Sequence, residues 1–335
     1  MIVLAIETSC DETACAVIED GRRIMSNIVS SQAAIFEKYG GVVPEIASRK
    51  HMEYMIPVVN EALSAAGIRL KDIDAVAVTK GPGLVGALLA GISLAKGIAM
   101  AIGKPLIGIN HLEGHIAANY LSDADLKPPF LCLLVSGGHS HILKVNDYID
   151  IAVMGRTRDD ASGEAFDKVA RAMGLGYPGG PKVDTAAKSG DPLKYKFPRT
   201  KFRDNLYDFS FSGLKTAVLN TINNKKQKKE EPDIENISAS FQYTVARTLV
   251  DNTIRAAKDT GLKTIVVAGG VAANSGLREE MTKDAGENGF TVIFPPLSLC
   301  TDNAAMIGSA AYYHLIKGEE DDYSLNAVPS LKIGS

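Results

Sequence analysis

Residues 2–18 read IVLAIETSCDETACAVI: an apolar segment, a short polar turn and a second apolar segment. Residues 130–145 read FLCLLVSGGHSHILKV and follow the same plan around a glycine-rich turn. Short aliphatic and β-branched runs bounded by turn residues are typical of paired β-strands. We therefore predict a strand–turn–strand unit at both positions. The likeness between the two units suggests an internal repeat.

The elements after each unit correspond as well. A buried strand ends in a glycine turn, a helix follows, and a short strand leads through polar residues into another helix. In the first half these segments lie at 74–78, 81–83 and 105–111, and in the second half at 264–268, 269–270 and 291–302. Asn274 or Ser275 is expected to cap the helix of the second half.

Two copies of one plan imply two similar α/β domains that face each other across a cleft. We predict that the first domain comprises residues 1–129 with 303–335 and that the second comprises residues 130–302. Ligands of such sheets bind beyond the carboxyl ends of the strands, so the turns should line the cleft. The alternative is two unrelated α/β domains that share an order by chance.

Composition sets broad limits. The 335 residues are 46% hydrophobic and 22% charged, as expected of a globular protein with two domains. A net charge of -3 argues against a protein that coats nucleic acid by charge alone but permits a local basic patch. The four cysteines form no CxxC pair and we see no signal peptide, so we expect reduced thiols and a cytoplasmic location. The apolar stretch 84–102 is predicted to be a buried helix rather than a membrane span.

His111 and His115 are the first candidates for chemistry. Four residues apart on a helix, they differ by about 40° around its axis, so both can face one ion. Asp302 follows the equivalent strand of the second half and is expected opposite the pair across the cleft. Two histidines and a carboxylate suit iron or zinc with open coordination positions. The alternative for the histidine pair alone is two surface residues.

The two turns of the repeat differ in chemistry. Gly137 and Gly138 expose backbone N–H groups that can bind a phosphate, although many hairpins contain two glycines. The matching turn contains Asp11 and Glu12, which suit a metal ion or a proton acceptor. Solvated turn residues are the alternative for these two acids.

Three further polar positions lie in the second half. The glycines at 269–270 would let a flat ring approach the backbone, and Asn274 would bind a ribose or a base edge or else serve only as an N-cap. Asp167 precedes the stiff turn at 177–181, and Asp184 is expected to open the next helix. The alternative is a structural turn with surface acids.

Residues 194–203 alternate cations with rings, which suits nucleic acid because cations bind phosphates and rings stack on bases. The cations are Lys194, Lys196, Arg199, Lys201 and Arg203, and the rings are Tyr195, Phe197 and Phe202. The alternative is that the rings pack the domain and the charges face solvent.

Eight segments, taken together, resemble the tRNA threonylcarbamoyltransferases of the TsaD type, over nearly the whole chain and in the same order. They are IETSCDETACAV, GPGLVGALLAGISLAKG, NHLEGH, LVSGGHSHI, GEAFDKVARAMGLGYPGGP, FSFSGLKTAV, AGGVAANSGLRE and TDNAAMIG. The segment beginning at Phe209 is similar to the bacterial branch of that family.

The resemblance implies a duplicated actin/Hsp70/sugar-kinase-like fold, related to ribonuclease H. It also implies transfer of a threonylcarbamoyl group from threonylcarbamoyladenylate to N6 of adenosine 37 in tRNAs that read codons beginning with A, with release of AMP.

By position, one divalent metal, iron in preference to zinc, would be held by His111, His115 and Asp302. The positions that would bind the adenylate are Leu134, Val135, Ser136, Gly137, Gly138, Asp167, Gly180, Asp184 and Asn274. Expected partners are tRNA, a degenerate paralogous subunit of the TsaB type and a small ATPase of the TsaE type, with no membrane. Asp11, with Glu12, is the expected proton acceptor.

Two other functions are weighed against this one. A metallo-endopeptidase of the zincin kind needs glutamate directly after the first histidine, but Leu112 occupies that position and Glu113 comes one residue late. An actin-fold ATPase or kinase places an acid in both phosphate turns, whereas the second turn here is Ser-Gly-Gly-His-Ser. A pure binding subunit would lack the two histidines and the aspartate.

Overall fold

The structure is a computed structural model that describes residues 1–334. The strands within this range are β1 (Ile2–Glu7), β2 (Glu12–Glu19), β3 (Arg23–Ser31), β4 (Ala75–Gly81), β5 (Leu106–Asn110), β6 (Phe130–Val135), β7 (Ser140–Asp147), β8 (Asp150–Arg156), β9 (Thr264–Ala268) and β10 (Thr291–Ile293). The α-helices are α1 (Ala33–Glu37), α2 (Pro44–Ala66), α3 (Val85–Ile102), α4 (His111–Ala117), α5 (Ser162–Ala172), α6 (Gly179–Ala187), α7 (Ser212–Gln227), α8 (Ile234–Thr260), α9 (Ser275–Glu287), α10 (Leu297–Cys300) and α11 (Ala304–Leu315).

The strands form two five-stranded sheets with the same topology, β3-β2-β1-β4-β5 and β8-β7-β6-β9-β10. In each sheet the first strand of the repeat pairs antiparallel with the second and parallel with the later buried strand. The predicted internal repeat is therefore confirmed. The sequence analysis missed β3 and β8, which lie at sheet edges and carry mixed polar and apolar residues without a buried run.

Internal contacts divide the chain into two compact units. The first contains residues 1–128, 146–151 and 295–335, and the second contains 129–145 and 152–294. Residues 295–302 thus belong to the first unit, whereas we had expected them in the second. Their position follows from α11, because a Cβ added at Gly308 would lie 2.6 Å from Ile18, so this helix packs directly on the first sheet.

The first unit is held together by an apolar core between its sheet and helices α2 and α3. Ala87, Leu88, Ile92, Ala95 and Ala99 of α3 are buried. Among the described residues, α3 is the one helix long and apolar enough to cross a membrane by length and composition, a test that buried core helices also pass. Its buried face agrees with the predicted core helix.

Polar residues gather where the parallel strands of the first sheet end. Glu7 ends β1 and Asn110 ends β5, and both side chains are buried. The carboxyl ends of parallel strands meet at one edge of a sheet, which is where ligands bind. The turn after β4 lies against the turn after β1, because a Cβ at Gly83 would lie 2.5 Å from the Ser9 carbonyl oxygen. Glycine permits this close approach.

Candidate active site

Two histidines and an aspartate form a compact cluster at this sheet edge. Asn110 caps α4 by accepting a hydrogen bond from the Leu112 amide at 2.9 Å, so His111 is the first helical residue. Nε2 of His111 lies 3.4 Å from Oδ1 of Asp302, and Nε2 of His115 lies 3.3 Å from the same oxygen. One potential ligand atom from each side chain lies within 4.8 Å of the others. The structure thus brings the three predicted metal ligands together.

Asp302 occupies the loop between α10 and α11, and Asn303 caps α11 by accepting a hydrogen bond from the Met306 amide at 3.1 Å. All three members of the cluster lie in the first unit. The expectation that the site would span the two halves of the repeat is therefore wrong. The reason is that α11 returns to the first unit and packs against α4, where a Cβ at Gly114 would lie 2.8 Å from Ile307.

The cluster has the properties of a cation site. His115 is 1% exposed, and apart from the 3.3 Å approach of its Nε2 to Asp302, neither ring nitrogen has a hydrogen-bond partner in the part of the chain that the structure describes. Burial works to lower the pKa of His111, but the carboxylates of Asp302 and Glu7 raise it well above its usual value. Burial works to raise the pKa of Asp302, but His111 and His115 hold it far below its usual value. The acids thus stabilise a positive charge here, and the donor set fits a divalent metal.

Glu7 is a component of this site that the sequence analysis did not assign. Its side chain is fully buried and accepts hydrogen bonds from the Ser9 amide at 2.5 Å and from the Thr79 hydroxyl. Nδ1 of His111 lies 3.1 Å from Oε2 of Glu7. A carboxylate that binds one ring nitrogen places the proton there and leaves the other nitrogen free for a metal. The signal was a charged residue at the end of an otherwise apolar strand.

The acidic turn after β1 lies beside the cluster. Burial, together with the negative charges of Asp302 and Asp11, raises the pKa of Glu12 to about 9. The catalytic role that we expected for Glu12 stays a prediction. The side chain of Asp11 is buried in the same turn, and its expected role as proton acceptor stays a prediction.

The buried side chain of His51 holds the acidic turn in place through two hydrogen bonds. Nδ1 of His51 lies 2.8 Å from the Thr13 hydroxyl, and its Nε2 lies 3.0 Å from the Cys10 carbonyl oxygen. Burial lowers the pKa of His51, so the ring is neutral and can accept from the hydroxyl while it donates to the carbonyl. Helix α2 thereby positions the turn that contains Asp11.

The glycine turn of the second unit leaves space for a ligand. Leu134 and Val135 end β6 and are buried. A Cβ at Gly137 or Gly138 would meet no described atom within 4 Å, and neither residue has a positive φ. The Gly163 amide donates to the Ser136 carbonyl at 3.3 Å, which joins the turn to the first residues of α5. The open glycines agree with the expected approach of a phosphate.

The other predicted substrate positions form a connected set next to this turn. Asp167 on α5 accepts a hydrogen bond from the Gly179 amide at 2.7 Å, which places Gly180 in the first turn of α6. Asp184 lies inside α6 rather than at its start, because that helix already begins at Gly179. Oδ1 of Asp184 accepts from the Ser275 hydroxyl at 2.6 Å.

Asn274 serves as the helix cap that we predicted. Its Oδ1 accepts from the Leu277 amide at 2.9 Å, while its Nδ2 donates to Gln242 at 2.8 Å and lies 3.4 Å from Asp184. Gly269 has φ +89°, and a Cβ there would lie 2.3 Å from the Val135 carbonyl oxygen, so glycine is required. These contacts connect the glycine turn, α6 and α9 into one polar surface of the second unit.

The aromatic rings of the basic segment 194–203 make contacts within the protein. Tyr195 and Phe197 stack on each other with their centroids 6.0 Å apart, and both are half-buried. The Arg158 guanidinium lies 4.1 Å from the centre of the Phe202 ring. Arg158 covers one face of the Phe202 ring, and the expectation that the three rings stack on nucleic-acid bases stays a prediction.

The chain is similar to proteins of one named family. The sequence model described as "TsaD: tRNA N6-adenosine threonylcarbamoyltransferase" matches residues 23–309. A curated relative with that enzyme name from Clostridium botulinum (strain 657 / Type Ba4) is 58% identical over 332 residues, which cover 99% of this chain and 98% of the relative. Another from Clostridioides difficile (strain 630) is 56% identical over 333 residues, with the same shares covered.

Distant solved structures share the fold. Full-length HypF in its phosphate- and nucleotide-bound form superimposes with a TM-score of 0.64 at 15% identity, covering 95% of this chain and 47% of HypF. Component A of the (R)-2-hydroxyglutaryl-CoA dehydratase of Acidaminococcus fermentans gives a TM-score of 0.55 at 17% identity, covering 94% and 99%. The predicted duplicated actin-like α/β fold is confirmed by these likenesses.

We expect the substitutions His115→Ala and Asp302→Ala each to lower metal occupancy to a small fraction of the parent value, because each removes one of three ligands. Elemental analysis of the purified proteins measures the occupancy, and circular dichroism checks that the fold is retained. Full occupancy in the Asp302→Ala protein would show that this carboxylate is not a ligand.

A second prediction concerns Glu7. The substitution Glu7→Gln keeps the side-chain volume but weakens the acceptor that fixes the His111 ring, so metal affinity should fall about 10–100-fold. Competition with a fluorescent zinc chelator measures the affinity. Glu113→Gln is the matched control, because Glu113 lies on the same helix but contacts His314 at 2.8 Å. Equal affinities of the Glu7→Gln and parent proteins would refute the positioning role.

A third prediction concerns the glycine turn. Because a Cβ at Gly137 is tolerated by the described neighbours, Gly137→Val should fold normally yet obstruct the approach of a phosphate to the backbone amides. Affinity for AMP, measured by calorimetry, should fall about tenfold or more. Gly286→Val on α9, where a Cβ also meets no described atom within 4 Å, is the control. Unchanged affinity in Gly137→Val would mean that the turn is only a hairpin.

Proposed function

The chain belongs to the tRNA N6-adenosine threonylcarbamoyltransferase family, and we propose that it forms N6-threonylcarbamoyladenosine at position 37 of tRNAs that read codons beginning with A. The activity is an acyl transfer to tRNA. We propose threonylcarbamoyladenylate as the donor. The observation that carries the proposal is identity of 58% to curated enzymes of this name over nearly the full chain, with the His111, His115 and Asp302 cluster assembled in the first unit.

The proposed step makes one bond and breaks one. The N6 amine of adenosine attacks the carbamoyl carbon, the new C–N bond forms, and the bond from that carbon to the phosphate oxygen breaks. AMP leaves, and the amine loses one proton. The donor is a mixed anhydride and is already activated, so the protein has mainly to position the reactants and to accept the proton.

Residue roles follow from the two sets of contacts described above. His111, His115 and Asp302 would hold one divalent metal, with iron preferred, and Glu7 would orient His111. A bound metal would supply a Lewis acid for the threonyl group or the carbonyl. Asp11 is the proposed proton acceptor. The residues proposed to bind the adenylate are Leu134, Val135, Ser136, Gly137, Gly138, Asp167, Gly180, Asp184 and Asn274.

The two alternative functions are disfavoured by local geometry. In a zincin the glutamate acts as a general base at the metal, but Glu113 here accepts a hydrogen bond from Nε2 of His314 at 2.8 Å. In a kinase an acid in each phosphate turn would hold magnesium, but residues 136–140 contain none. Neither a metallo-endopeptidase nor a kinase is supported.

The same family membership underlies our proposals for partners and location. We propose that the chain works in the cytoplasm, without a membrane, alongside a degenerate paralogous subunit of the TsaB type and a small ATPase of the TsaE type. Its cysteines, Cys10, Cys15, Cys132 and Cys300, are free thiols, in keeping with a reducing compartment.

The activity is tested by incubating the chain and its partner proteins with tRNA, threonine, bicarbonate, ATP and the enzyme that makes the adenylate. Mass spectrometry of the digested tRNA should detect threonylcarbamoyladenosine. A transcript with guanosine at position 37 should give none. The Asp302→Ala protein should lose at least about 100-fold in rate, as expected when a Lewis-acid site is emptied. Absence of product with the parent protein would refute the proposed function.

A further inference from the structure

Residues 190–204, which we call the basic strap, form neither helix nor strand. Their backbone is nevertheless tied to α8. The Asp191 amide donates to the Asn236 side chain at 2.6 Å, and the Tyr195 amide donates to the Ser240 hydroxyl at 3.1 Å. A Cβ at Gly190 would lie 2.1 Å from the Glu235 carbonyl oxygen, so the strap begins in direct contact with the helix.

The far end of the strap is fixed as well. Nη1 of Arg199 lies 2.6 Å from Asp251 of α8, and Nη2 of Arg158 lies 2.7 Å from Asp204. From Asn236 to Asp251 the helix rises about 22 Å, so the strap follows α8 over that length. Hydrogen bonds and an ion pair therefore hold the strap along α8.

The remaining cations of the strap take no part in these anchoring contacts. Lys194, Lys196, Lys201 and Arg203 are exposed and make no ion pair with any described residue. The pKa of Lys225, at the end of α7, is raised by its hydrogen bond to Glu230 and by the nearby Tyr195, which places this helix end next to the strap. The exposed residues Lys226, Lys228 and Lys229 extend the positive surface.

We propose that the basic strap and the lysines at the end of α7 bind the phosphate backbone of the tRNA. Positive charge is concentrated here although the chain carries a net charge of -3. Phosphate contacts from lysine and arginine supply affinity without reading sequence. The rings of the strap pack on each other or under Arg158, so base stacking is not needed. This proposal rests on the proposed function, and it suits an enzyme that must accept several tRNAs.

The test replaces three unpaired lysines, Lys194→Ser, Lys196→Ser and Lys201→Ser, in one protein. Arg199 is kept because its ion pair with Asp251 anchors the strap to α8. The matched control removes the same charge with Lys127→Ser, Lys258→Ser and Lys283→Ser, three exposed lysines elsewhere. Both proteins are assembled with the partner subunits, and tRNA binding is measured by fluorescence anisotropy at several KCl concentrations.

In the strap variant we expect tRNA affinity to fall about tenfold or more at low salt. The slope of log affinity against log salt should fall by about two to three, because each phosphate contact contributes close to one unit. The control should keep the parent slope, and both melting temperatures should match the parent. An unchanged slope in the strap variant, or an equal fall in the control, would overturn the proposal.

The same measurements distinguish failure of the proposed tRNA surface from failure of the proposed function. They also distinguish binding of tRNA from binding of a partner protein. If the strap variant loses the partner subunits on size-exclusion chromatography while the chain alone binds tRNA as the parent does, the surface binds protein and the proposal fails. If the parent binds tRNA through the strap but forms no threonylcarbamoyladenosine, the proposed function fails and the surface stands.

Discussion

Burying a carboxylate costs free energy unless several hydrogen-bond donors surround it. Glu7 of the first unit is a carboxylate of this kind. The donors come from three places in the chain: the Ser9 amide after β1, the Thr79 hydroxyl on β4, and the His111 ring at the start of α4. Satisfying one carboxylate therefore fixes the relative positions of two strand ends and a helix start. The other ring nitrogen of His111, Nε2, is thereby directed towards Asp302.

The duplicated fold supplies two similar platforms that differ in their turns. The first sheet carries an acidic turn beside a histidine and aspartate cluster, and the second carries an open glycine turn beside α5 and α6. A cation and a phosphate need opposite surroundings, since one binds to carboxylates and the other to backbone amides. Equivalent positions of one topology thus acquire opposite chemistry through a few turn residues, which is why fold alone does not define function.

The sequence predicted the repeat because buried strands are short apolar runs and both sheets use them in the same order. It did not predict the edge strands β3 and β8, which are only partly buried and have no such run. It also placed Asp302 in the wrong unit. A repeat records the order of elements along the chain, but the surface on which a helix such as α11 packs depends on contacts between residues far apart in sequence.

Among the site residues, too, local spacing could be read from the sequence, whereas contacts between distant residues could not. The spacing of His111 and His115 was sufficient to predict that both face one ion, because helix geometry is local. Glu7 was quoted within a motif but given no role, because its partners at Ser9, Thr79 and His111 come together only in the folded sheet. The buried charge was visible in the sequence, but its donors were not.

Electrostatics favours a tRNA-binding surface built from residues other than those of the acidic cluster. Glu7, Asp11 and Asp302 lie close together, and such a group of carboxylates attracts a metal ion but repels phosphates. One divalent ion offsets only part of this negative charge, so the acids cannot supply the affinity for a long polyanion. In our proposal that affinity comes from lysines and arginines that are free of acidic partners, of which the strap has four. Because salt screens exposed charges far more than buried ones, tRNA binding should weaken with ionic strength while the buried cluster keeps its affinity for a cation.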